Sequence, residues 1–127
     1  MIALVLIVSA ATVRGGESFP ETQYVSGKAG LARKIEGTLI IGQREIRFAD
    51  KQGRPVFRIR MEDVLRASPT TESREYPLSA KTREYVRVEA KSGETTETIV
   101  FRTARHRSAA LAAKIEFFRE KAVAAPP

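Results

Sequence analysis

Residues 35–61 constrain the fold of this chain more than any other stretch. They read IEGTLIIG, then REIRFAD, then VFRIRM, three runs of strand composition separated by two turn signals. Gly42 and Gln43 have the composition of a two-residue type II′ hairpin loop, whose first central residue needs φ > 0. Closing that loop sets Ile41 opposite Arg44 and Leu39 opposite Ile46. The second connection, residues 50–55, contains Gly53 and Pro55, both breakers of a ladder. With Asp50 facing Pro55, Phe48 meets Phe57, Ile46 meets Ile59 and Arg47 meets Arg58. One face then carries Leu39, Ile46, Phe48, Phe57, Ile59 and Met61. The other carries Thr38, Ile40, Glu45, Arg47, Arg58 and Arg60. A one-residue slip would drive Arg58 and Arg60 into the core, so the register is strongly specified.

The remaining chain divides around this meander. Residues 2–8 form an unbroken apolar run, followed by Ser9, Ala10 and Ala11 and then by polar residues. Seven apolar residues ahead of small ones match a signal-peptide h-region and cleavage site near Ala11. They fall well short of the roughly 20 residues that cross a bilayer. The n-region lacks Lys and Arg, which keeps an uncleaved anchor or a buried first strand in a cytoplasmic protein as alternatives. Residues 12–23 read as a linker, with a short strand expected within residues 24–33. Beyond Met61, residues 64–68 suggest a fourth strand, residues 68–73 a loop opened by Pro69, and residues 75–79 a short edge strand containing Pro77.

Residues 84–90 (EYVRVEA) alternate apolar and polar, and residues 97–103 (ETIVFRT) follow a turn containing Ser92 and Gly93. This second hairpin sets Val88 opposite Ile99 and Val86 opposite Phe101. The period then changes from 2 to 3.6. Leu111, Ile115, Phe118 and Ala122 form one stripe of an amphipathic helix, with Ser108 or Thr103 as its N-cap. That stripe needs an apolar surface, and the inner face of the hairpins is the one available. The expected fold is mainly β with one C-terminal helix, a sandwich or partly open barrel of about seven antiparallel strands capped by the helix. The domain spans residues 24–122, and residues 123–127 form a tail.

A meander reading GTLIIGQREIRFAD, a turn into EDVL, a later hairpin around SGETTETIVF and one terminal amphipathic helix resembles the pleckstrin-homology-like superfold. It is most similar to the GRAM-type branch and to bacterial PH-like domains. The resemblance implies a binding module without a cofactor. Two departures weaken its lipid-binding implication. The last helix has Phe117 and Phe118 where eukaryotic PH domains usually carry Trp. The clearest early turn, Gly42 with Gln43, is too short to wall a headgroup, with Arg44 and Arg47 just beyond it. Fold alone does not fix function.

Composition excludes several chemistries. The chain has no Cys, so disulfides, thiol catalysis and thiolate metal sites are ruled out. Its single His, His106, lies between Arg105 and Arg107 and has no partners at metal-ligand spacing. No P-loop or GxGxxG pattern is present. No enzyme activity, metal or cofactor is therefore expected. The net charge of +7 points to anionic partners, but acids interleave with the bases. Two groups are candidates for anion contact. Arg44, Arg47, Arg58 and Arg60 share the outer meander face and suit an anionic membrane surface. Arg105, His106 and Arg107 sit at the mouth of the last helix, whose free N–H groups favour anions. Nucleic acid is not expected, because Phe48, Phe57 and Phe101 point inward, away from any base-stacking role. The sequence thus reads as an exported, non-catalytic interaction module for a protein partner or an anionic envelope surface. Peripheral membrane attachment through the basic face is the alternative.

Overall fold

The computed structural model describes residues 16–76 and 79–124, and the apolar run read as a signal peptide lies outside them. Seven strands precede one helix: β1 (Glu17–Ser26), β2 (Ile35–Ile41), β3 (Glu45–Asp50), β4 (Pro55–Arg60), β5 (Val64–Tyr76), β6 (Ser79–Ser92), β7 (Thr95–Arg102) and α1 (Ser108–Ala124). A 3-10 turn, Met61–Asp63, links β4 to β5. The strands form one antiparallel sheet in the order β4-β3-β2-β1-β7-β6-β5. The helix packs against β5, β6 and the 3-10 turn. The architecture is mainly β with a single C-terminal helix.

The meander forms as its alternation dictates. Leu39, Ile46, Phe48, Ile59 and Met61 are buried and Phe57 is half-buried, while Arg47, Arg58 and Arg60 are exposed. Pairing of Phe48 with Phe57, Ile46 with Ile59 and Arg47 with Arg58 follows the expected register. A bulge then sets Pro55 opposite Ala49, not Asp50. The first hairpin differs from expectation by one residue at its tip. Gly42 N–H donates to Glu45 C=O at 2.9 Å, so the loop residues are Gln43 and Arg44, and Ile41 faces Ile46. Gly42 does not adopt positive φ, so no type II′ turn forms. Moving the loop by one residue shifts the register by two, which keeps every side chain on its face.

Two larger differences concern strands. β1 begins at Glu17, so residues 17–23, read above as linker, belong to a central strand between β2 and β7. Its pattern is broken by a bulge at which Glu21 takes φ of 57°, and Thr22 Oγ1 donates to Phe19 C=O at 2.8 Å. That irregularity interrupts the period of 2 and hides the strand from an alternation search. Likewise β5 and β6 run on as a long hairpin through residues 68–73, read above as a loop. Pro69 is paired there with Val86. β5 is an edge strand, so a missing N–H on its outer side costs no ladder bond. Pro77 itself lies outside the described residues.

The second hairpin matches the expected register, Val88 with Ile99 and Val86 with Phe101, around a loop of Gly93 and Glu94 with Gly93 at φ of 65°. Leu111, Ile115 and Phe118 are buried, and Ala122 packs partly buried against the same core. Tyr24, Phe48, Phe57 and Phe101 meet at the centre, with ring centroids 5.5–6.5 Å apart.

Candidate functional site

The structure divides the four arginines of the meander into two groups. Arg47 and Arg58 face each other across β3 and β4, and Glu45 lies between them, its carboxylate 3.4 Å from Arg47 Nε and 3.9 Å from Arg58 Nη1. Two cations and one carboxylate leave a single net positive charge. Like charges opposite each other are tolerated because the intervening acid offsets the repulsion. Arg60 pairs with Glu62 of the 3-10 turn.

Arg44 and Arg60 instead line a cleft of about 530 Å³ together with Gln43, Met61, Glu62, Lys121 and Ala122. Three elements build it: the β2–β3 turn, the end of β4 with the 3-10 turn, and the last turn of α1. Met61 N–H donates to Arg44 C=O at 2.7 Å and so clips the hairpin tip to the 3-10 turn. Lys121 Nζ rests 4.5 Å above the Phe117 ring, which is itself half-exposed. Among the described residues neither Arg44 nor Lys121 has a carboxylate within ion-pair range, whereas Arg60 does. Lys121 was not legible as a site residue. A basic residue near a helix C-terminus complements the dipole anyway, and the sequence does not say which end of the sheet that terminus meets.

The second candidate group meets a different fate. Arg107 C=O accepts the first helical bond, from Leu111 N–H at 2.9 Å, so neither Ser108 nor Thr103 occupies the N-cap position. The cap comes from β6. Glu84 accepts His106 N–H at 2.6 Å, the Ser108 hydroxyl at 2.6 Å and Ser108 N–H at 3.3 Å. The Ser108 hydroxyl, then the His106 N–H, hold the Glu84 carboxyl below the ordinary value. An anion already sits where a ligand would. Arg107 is likewise engaged, with Nη2 3.5 Å from Glu17 and the guanidinium 4.8 Å from the Phe19 ring centroid. Arg105 and His106 are exposed.

The β1–β2 connection, residues 27–34, is longer than any early turn the sequence suggested, and it carries Lys28, Arg33 and Lys34. It is tied down from within. The Tyr24 hydroxyl accepts Lys28 N–H and donates to Leu31 C=O, each at 2.8 Å. Glu97 accepts Ala29 N–H at 2.8 Å and pairs with Lys28 at 3.0 Å. Burial raises the Glu97 carboxyl, and these bonds outweigh it to leave the value lowered. Near this end Lys51 pairs with Glu36 and Arg54 with Asp50.

Among the described residues no three His, Asp or Glu side chains converge as a metal site. No helix among them is long and apolar enough to cross a membrane. Comparison with known protein families finds no model that matches this chain, and comparison with curated proteins finds no match.

Proposed function

We propose that the chain is an exported, non-catalytic interaction module of pleckstrin-homology-like architecture that binds a protein partner through its surface. What carries this reading is the use the fold makes of its acids. Asp50, Glu84, Glu97 and Glu116 each accept backbone N–H bonds, and each is held below its ordinary value. They are ionised at neutral pH and engaged in holding loops, a helix cap and a strand edge. The cleft at the hairpin tip carries three cations and one acid that is itself ion-paired.

The alternative, attachment to an anionic membrane through the outer meander face, is weakened by Glu45. Each unopposed base near such a surface is worth about 1 kcal/mol, and the four arginines less Glu45 and Glu62 leave a net charge of two, about 2 kcal/mol. The test is co-sedimentation of the full chain with anionic and neutral vesicles at low and high salt, beside Arg47→Glu/Arg58→Glu. The protein-module reading expects no pelleting beyond the neutral vesicles. Salt-sensitive pelleting with anionic vesicles, lost in the double variant, would put membrane attachment first.

A further inference from the structure

We infer that the cleft between the β2–β3 turn, the 3-10 turn and the end of α1 is a docking site for an acidic peptide segment. Two carboxylate side chains of the partner would meet Arg44 and Lys121 separately. The inference rests on the protein-module reading and adds the chemistry of the partner. Charge complementarity supports it. Arg60 is satisfied by Glu62, whereas Arg44 and Lys121 have no carboxylate in range among the described residues, so the cleft presents two positive charges to solvent. Met61 N–H fixes the Arg44 backbone at the cleft edge, and the Lys121 ammonium is held over the face of Phe117. The volume of about 530 Å³ lies within the range of ligand sites, and buried Met61 with half-buried Ala122 gives an apolar floor.

A phosphate group fits the same cleft less well. Phosphate sites are built on oriented backbone N–H groups, often at a helix N-terminus. Here the Met61 and Gly42 N–H groups are already bonded to Arg44 and Glu45 carbonyls. The helix end on the wall is the C-terminus, which carries roughly half a negative charge, and the Glu62 carboxylate lies beside it. A compact dianion would meet both. A single carboxylate carries half the charge and meets half that repulsion, and carboxylates spaced along a peptide address Arg44 and Lys121 one each.

The test is fluorescence anisotropy of the full chain with a short fluorescein-labelled peptide of alternating glutamate and alanine, beside its glutamine counterpart. Saturable binding is expected, weakened about tenfold in the glutamine peptide and about tenfold by Arg44→Gln/Lys121→Gln, as two ion pairs are lost. Arg47→Gln/Arg58→Gln, outside the cleft, should change affinity less than about twofold. Amide-shift mapping on the unsubstituted chain should move Gln43, Arg44, Met61 and Lys121, whether or not the variants fold. Absence of saturable binding would overturn the inference. So would equal losses in both double variants, or displacement of the peptide by inorganic phosphate with the same shifts. Failure of the peptide without attachment to anionic vesicles overturns the cleft assignment alone. Failure with salt-sensitive attachment overturns the protein-module reading as well.

Discussion

Glu116 joins the helix to the sheet edge, and removing it should measure what that joint contributes. Its Oε2 accepts Ala67 N–H of β5 at 2.7 Å, and its Oε1 accepts Arg119 Nε and Nη2 at 3.1 and 2.8 Å. β5 is an edge strand with no neighbour beyond it, and Ala67 follows the bulge between Val64 and Arg66. The helix carboxylate thus serves an N–H that the sheet leaves over. Glu116 and Arg119 side chains are only 28% and 24% exposed, so solvent screening is partial. A hydrogen bond to a charged acceptor contributes about 1.5–3 kcal/mol, and the helical ion pair adds about 0.3–0.5 kcal/mol. Glu116→Ala should therefore cost about 2–3 kcal/mol, which at about 4 °C per kcal/mol lowers Tm by roughly 10 °C. Glu116→Gln keeps an acceptor for Ala67 and should cost about half as much. Burial raises this carboxyl, and the bonds from Arg119 and Ala67 outweigh it, leaving it below 4.5 when folded. The folded value is the lower, so the contribution is complete above pH 4.5 and is lost as pH falls through the folded value. Urea denaturation at neutral and acid pH, with hydrogen exchange at Ala67, measures both. An alanine variant within about 0.5 kcal/mol of the parent at neutral pH would refute the reasoning. So would a difference that fails to narrow in acid.

Other positions test the same logic. A β-carbon at Gly37 would collide with the Ala49 carbonyl oxygen, so Gly37→Ala should destabilise by about 2–4 kcal/mol in urea. Tyr24→Phe removes the hydroxyl that holds residues 27–34 and should cost about 1–2 kcal/mol, with faster amide exchange at Lys28. Glu84→Gln should lower the thermal midpoint at neutral pH. Because folding depresses the Glu84 carboxyl below 4.5, that difference should vanish as pH falls through the folded value, read from helix ellipticity.

The parts of the fold legible in the sequence are those where one period holds without interruption. Residues 45–50 and 57–60, 86–90 and 97–102 keep the period of 2 and the helix stripe keeps that of 3.6, and each pairs or packs as its pattern requires. β1 was not legible because Glu21 in the left-handed region lets Phe19 and Thr22 share the inside, out of step by one. The long β5–β6 hairpin was not legible because Pro69 and a run of Ser, Thr and Glu carry turn chemistry. On an edge strand that chemistry loses to twelve residue pairings with β6. The site was half legible. The sequence could place Arg44 and Arg60 near one hairpin tip, but not bring Lys121 to them, since that contact depends on where the helix ends.

Charge illustrates why a count of bases misleads about the surface. The excess of Lys and Arg suggests a basic face, yet the acids are placed one per cluster: Glu45 between Arg47 and Arg58, Glu62 on Arg60, Glu36 on Lys51, Glu89 on Arg66, Glu97 on Lys28. Apart from the half-buried Lys28–Glu97 pair, such surface pairs stabilise little, typically under about 1 kcal/mol each. Their larger effect is on the field, because each cancels a charge within a Debye length of about 8–10 Å and so weakens the potential around its own cluster. Arg33, Lys34, Arg87, Arg102 and Arg105 also keep their charge without an ion pair among the described residues, but Arg44 and Lys121 are the unpaired cations that separate elements bring to one concave surface. A convergent pair of that kind selects a partner by the spacing of its carboxylates, whereas a diffuse basic face would select only for negative charge.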